Sequence, residues 1–124
     1  MSKKILIIED EVSFLASFVE RCQKDGFEVS QALDGHSGLK TALEEHPDLI
    51  LLDLILPKMD GLTMLQKLRD DEWGKKAEVM ILTNLSENKR VAEAMGLGAF
   101  EYLLKSDWDM EEVMDKIKKK LRVS

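Results

Sequence analysis

Pro47-Asp48-Leu49-Ile50-Leu51-Leu52-Asp53 is the stretch on which the fold turns. Four apolar residues in a row stand between a helix-stopping proline and an aspartate. A run without alternation is what a strand covered on both faces looks like, as in a parallel sheet. Ile5-Leu6-Ile7-Ile8 ahead of Glu9-Asp10 repeats the pattern, and so does Val79-Met80-Ile81-Leu82 ahead of Thr83. Residues 27–32 and 99–104 are more mixed, which suits edge strands, and the second of these leads into Lys105.

Between the runs lie segments with apolar residues at three- and four-residue steps, at about residues 11–25, 36–45, 60–70, 86–95 and 109–121. Leu62, Leu65 and Leu68 mark the third; Val113, Met114, Ile117 and Leu121 mark the fifth. Ser86 is expected to cap the fourth helix, and Asp109 with Glu112 resembles a capping box. Gly26, Pro47, Gly74 and Gly96 stand where the helical patterns stop. Strand followed by helix, five times over, predicts an α/β fold with a five-stranded parallel sheet and helices on both faces, because each crossover is right-handed. No linker, repeat or low-complexity stretch interrupts residues 1–124, so one domain is expected. The short tail after the fifth helix favours a single-domain protein.

A chain of 124 residues buries roughly two thirds of its unfolded surface, enough for a core without staples. The net charge of −6 argues against non-specific nucleic-acid binding and is compatible with a cation site or a basic partner. Cys22 is the single cysteine, so no intramolecular disulfide forms; its apolar helical setting reads as a small buried hydrophobe. The four apolar residues at the start are too few for a signal peptide or a membrane span, and a reducing cytoplasm is the expected compartment.

In open α/β sheets ligands bind beyond the carboxyl ends of the strands. Glu9 and Asp10 follow the first strand, Asp53 the third, Thr83 the fourth and Lys105 the fifth. Three clustered acids repel unless a cation joins them, and oxygen ligands of this kind suit Mg2+. A metal-bound carboxylate beside a hydroxyl and an ammonium is a site for a phosphoryl group, with an aspartate oxygen as the attacking atom. Singly, these residues read as helix caps or solvated charges; the joint placement at four strand ends is what points to chemistry.

The arrangement resembles the bacterial response-regulator receiver family of two-component signalling. The resemblance covers essentially the whole chain and is carried by Ile8-Glu9-Asp10-Glu11, by residues 47–53, by residues 54–61 with Pro57, Met59, Asp60 and Gly61, by Thr83, and by Gly98-Ala99-Phe100-Glu101-Tyr102-Leu103-Leu104-Lys105. It implies a flavodoxin-like, doubly wound sheet in the order 2-1-3-4-5 with five helices. It also implies roles. Asp53 would accept the phosphoryl group. Asp10 and Asp53 would bind Mg2+ directly, Glu9 through water, and the backbone carbonyl of Ile55 would be a further ligand. Thr83 would hydrogen-bond the phosphoryl group, Lys105 would pair with it, and Tyr102 would be the switch aromatic that turns inward as Thr83 moves. A histidine kinase or histidine phosphotransfer protein would be the donor, in a phosphorelay with an unknown downstream protein target. Such a domain catalyses only its own phosphorylation and dephosphorylation and is not an enzyme toward other substrates.

The chain departs from the family pattern in three places. Ser106 follows the lysine where a proline joined through a cis peptide is usual; the sequence leaves Lys105–Ser106 open between trans and cis, the latter costing about 3–4 kcal/mol. Asn84 stands where a small residue usually leaves phosphate access open. Ile55 and Leu85 are apolar where many members are polar, which implies shielding of the phosphoryl group and slow self-dephosphorylation. In the first helix Phe14, Phe18 and Cys22 line up for the core, while Val12, Leu15, Ala16 and Val19 widen the apolar arc. Leu15 and Val19 are therefore expected either in an exposed patch that docks the phosphodonor or in a wider buried face, with Trp108 near the same surface or covering the helix end. Three other readings fit the residues less well. An aspartate-nucleophile phosphohydrolase would carry its nucleophile after the first strand and a cap domain. A flavin module needs a phosphate-cradling loop there, not an acidic one. A receiver-like domain that never takes phosphate rests only on Ser106 and Asn84.

Overall fold

The computed structural model describes residues 2–84, 88–107 and 109–123. Five strands, β1 (Lys4–Ile8), β2 (Glu28–Ala32), β3 (Leu49–Leu52), β4 (Val79–Thr83) and β5 (Glu101–Leu104), alternate with five helices, α1 (Val12–Lys24), α2 (Gly35–Glu45), α3 (Gly61–Arg69), α4 (Asn88–Gly96) and α5 (Met110–Leu121). All four strand pairings are parallel and the sheet order is β2-β1-β3-β4-β5. The mixed runs are the edge strands, as their composition requires. No helix among the described residues is long and apolar enough to cross a membrane.

The unbroken apolar strands feed two cores at once, because successive side chains point to opposite faces. Leu6, Ile8, Ile50, Leu52, Val79 and Ile81 pack with Leu62, Leu65, Leu68 and Ala94 of the helices on one side. Ile5, Ile7, Leu49, Leu51, Met80 and Leu82 pack with Phe18, Cys22, Val113, Met114, Ile117 and Leu121 on the other. Each fully buried aliphatic side chain contributes about 1.5–3 kcal/mol. Truncating Phe18, which is wholly enclosed, would cost about 3–5 kcal/mol.

Helix starts follow capping chemistry. Asp34, Asp60 and Asp109 cap α2, α3 and α5 by accepting from the backbone N–H of Ser37, Thr63 and Glu111. Ser86 and Trp108 lie outside the described residues. Helix α1 starts after Glu11 with no side-chain cap, so Asp10 does not serve as one. His46, at φ 50°, ends α2 directly before Pro47, as expected, whereas α3 already ends at Asp70 and Gly74 instead opens a single 3-10 turn.

The docking patch expected on α1 is corrected by packing. Leu15 is only 3% exposed and sits in the α1/α5 core, while Val19 is half-buried against that core. Val12, at 68% exposure, and Ala16 are the apolar residues of α1 that face solvent. The reason is helical period. Leu15, Phe18 and Cys22 are spaced by three and then four residues and stay on one face, whereas the four-residue steps from Phe14 to Cys22 precess by about 40° each. Phe14 accordingly lies half-buried at the edge of the core.

Candidate functional site

The parallel register brings the polar residues to one rim. Beyond β1, the Glu9 N–H donates to the Ala32 carbonyl at 3.0 Å; beyond β3, the Asp53 N–H donates to the Ile8 carbonyl at 3.1 Å. Glu9 and Asp53 are thus held by the sheet's own hydrogen bonds. Thr83 ends β4 opposite Leu104, the residue before Lys105. Thr83 is fully buried, and Glu9, Asp53 and Lys105 are 2%, 6% and 9% exposed.

The segment after Asp53 is shaped by backbone contacts. The Ile55 N–H donates to Asp53 Oδ1 at 3.1 Å. The chain then reverses through Lys58 at φ 65°, closed by the Met59 N–H on the Pro57 carbonyl at 2.7 Å. Left-handed backbone is uncommon outside glycine. Gly61 then packs directly on the site segment, where a Cβ would stand 2.2 Å from the Asp53 carbonyl oxygen. Only glycine lets α3 start this close to the acid.

Lys105 gathers the acids. Its ammonium lies 2.9 Å from Asp53 Oδ2 and 2.9 Å from Glu11 Oε1, and it also pairs with Glu9 Oε1. The Phe14 ring lies under it, with the centroid at 4.7 Å. Burial alone would lower the Lys105 pKa, but hydrogen bonds to Glu9, Asp53 and Glu11 outweigh it and hold the ammonium above the ordinary lysine range. Burial pushes the Glu9 carboxyl up, and hydrogen bonds from Lys105 and the Glu11 N–H offset this only in part. Carboxylate oxygens of Glu9, Asp10 and Asp53 all lie within 4.8 Å of one another, with Asp10 exposed to solvent. This all-oxygen, acidic donor set fits a hard divalent cation such as Mg2+.

Glu9, Asp10, Asp53, Thr83 and Lys105 are therefore brought to one rim, and Ile55 sits beside them with its side chain half exposed. Tyr102 is 42% exposed on β5, in register with Ile81. Asn84 is exposed, and Leu85 lies outside the described residues. The Lys105–Ser106 peptide is trans, since the described residues contain no cis bond. Glu11 and Phe14 were not singled out for this site from the sequence. Glu11 meets Lys105 across 94 residues, and the only local signal was its place in the acidic loop.

Comparison with known proteins adds an independent line. The family model described as the response regulator receiver domain matches residues 5–118. The DNA-binding dual master transcriptional regulator RpaA of Synechocystis is 38% identical over 96% of this chain, which spans 49% of that relative. The chain spans about half the length of several curated relatives it matches. Sporulation initiation phosphotransferase F of Bacillus subtilis is 33% identical over 98% of this chain and 95% of its own length. Among solved structures, a CheY-like response regulator receiver domain protein from Methanospirillum hungatei superposes with a TM-score of 0.91 at 27% identity, covering 98% of this chain and 95% of that one.

Proposed function

The chain belongs to the response regulator receiver domain family, whose members are signalling switches, and on that premise we propose that it is switched by a phosphoryl group carried on Asp53. The observation that carries the proposal is the setting of that carboxylate. Asp53 is buried between the Lys105 ammonium and the Glu9–Asp10 pair, with one oxygen held by the Ile55 N–H and the other by Lys105.

An Asp53 carboxylate oxygen attacks phosphorus in line. The new O–P bond forms as the bond to the donor breaks, and the electron pair leaves with the donor's imidazole nitrogen or small-molecule oxygen. Glu9, Asp10, Asp53 and the Ile55 carbonyl would hold Mg2+, which supplies charge neutralisation at the phosphoryl oxygens when bound. Lys105 donates a hydrogen bond to a phosphoryl oxygen, and the Thr83 hydroxyl donates to another. Contacts made only in the phosphorylated state shift the population toward an active form, with Tyr102 turning inward as Thr83 moves. Apolar Ile55 beside Asp53 limits water and slows self-dephosphorylation.

The donor is a histidine kinase or histidine phosphotransfer protein in the cytoplasm, and the output is an altered contact with a downstream protein, not direct nucleic-acid binding. Val12 and Ala16 on α1, rather than Leu15 and Val19, are the apolar residues open to that donor.

Incubation with Mg2+ and a small phosphodonor, followed by intact mass, tests the reading. A Mg2+-dependent gain of one phosphoryl group, acid-stable and base-labile, is expected in the wild type and absent from Asp53→Asn. A chain that binds Mg2+ yet gains no phosphoryl group would leave a receiver fold without receiver chemistry.

A further inference from the structure

A lysine ammonium has three hydrogens to donate. In Lys105 they face three carboxylates: Glu9, Asp53 and Glu11. The Phe14 ring lies against the same nitrogen. A phosphoryl oxygen can therefore take a hydrogen bond from Lys105 only if a present partner gives one up.

The three partners are not equivalent. The Glu9 and Asp53 side chains are 3% and 7% exposed, whereas that of Glu11 is 54% exposed. Water readily replaces Lys105 at Glu11, while release of Glu9 would strand a buried carboxylate. The Glu11 carboxylate is also the solvent-facing one on Lys105, so its charge lies beside any phosphoryl dianion that reaches that ammonium.

Resting on the proposed function, we infer that Glu11 is a positioning residue that holds Lys105 in the unphosphorylated arrangement and competes with the phosphoryl group for its ammonium. Glu11 thereby biases the resting equilibrium toward the off state. A pair this exposed has a modest worth, so its removal should strengthen binding of a phosphoryl mimic by about two- to five-fold.

The test measures beryllofluoride affinity at saturating Mg2+ for wild type, Glu11→Gln, Lys105→Gln and the double variant. Glu11→Gln should bind about two- to five-fold tighter, and most of the gain should vanish in the Lys105→Gln background. An unchanged or weaker affinity in Glu11→Gln would overturn the inference. A gain undiminished without Lys105 would also overturn it, because simple repulsion of the anion by Glu11 would then be the whole effect. A second readout needs no lysine variant: the Lys105 ammonium signal in nuclear magnetic resonance, with no mimic present, should exchange with water faster in Glu11→Gln. An unaltered signal counts against the competition. Failure of the wild type to bind beryllofluoride with Mg2+ would instead remove the proposed function, and this inference with it.

Discussion

Two cations are drawn into the molecule at opposite rims of the sheet, and they are satisfied in different ways. At the carboxyl rim Lys105 meets the carboxylates of Glu9, Glu11 and Asp53. At the other rim Arg69, at the end of α3, donates to the backbone carbonyls of Leu97 at 2.6 Å, Gly74 at 2.6 Å and Ala77 at 2.8 Å. Burial lowers the Arg69 pKa, yet a guanidinium stays charged in proteins. Arg69 uses its fixed fork of donors to tie the α3–β4 connection, at Gly74 and Ala77, to the α4–β5 connection, at Leu97, through neutral carbonyl dipoles. Lys105 does not balance its surroundings, because Glu9, Asp10, Glu11 and Asp53 bring more negative charge than one ammonium cancels. A rim whose charges are closed serves the fold. A rim with charge left over can take up a cation.

This contrast predicts where Mg2+ will act. At about a hundred times its dissociation constant, Mg2+ should stabilise the wild type by about 2.7 kcal/mol, and chelation should remove that increment. Asp10→Asn should lose most of it and, with chelator present, should melt above the wild type, because one member of a repelling acid cluster is gone. Equal Mg2+ increments in both proteins, read from thermal melts, would break the contrast at the active rim.

Arg69→Ala probes the opposite rim. Three carbonyls lose their donor, and the expected loss is about 2 kcal/mol, tempered by water reaching a partly exposed position. Urea titration measures it. The Mg2+ increment and the phosphoryl gain of the folded variant should be unaltered. A lost Mg2+ response in Arg69→Ala would show that the two rims are not separable.

Asp60→Ala sharpens the comparison with the smallest effect. Asp60 lies near the active rim, but its work is structural: it accepts from the Thr63 N–H at 2.8 Å and caps α3. Its loss should cost about 1 kcal/mol in urea titration while leaving the Mg2+ increment intact. A diminished increment would place Asp60 among the charges that serve the cation.

Legibility followed the range of the interactions. Residues 49–52 and 79–82 announced buried strands because composition alone records burial on both faces. Asp53, Thr83 and Lys105 were legible because strand ends in a parallel sheet converge whatever the helices do. The face of α1 was misread at Leu15, because an apolar arc this wide offers two stripes and only the sheet decides between them. Glu11 escaped because its partner lies 94 residues away and its neighbours in sequence are equally acidic. Arg69 escaped for the same kind of reason: backbone carbonyls leave no trace in side-chain pattern.

The central claim is that one carboxylate of this crowded rim, Asp53, carries the phosphoryl group. Borohydride reduction of the phosphorylated chain, followed by peptide mass mapping, tests it most directly, since an acyl phosphate on aspartate is converted to homoserine. Homoserine at position 53 alone is the predicted result. Reduction at Glu9, Asp10 or Glu11, or none at position 53 in a chain whose mass shows the phosphoryl group, would contradict the account.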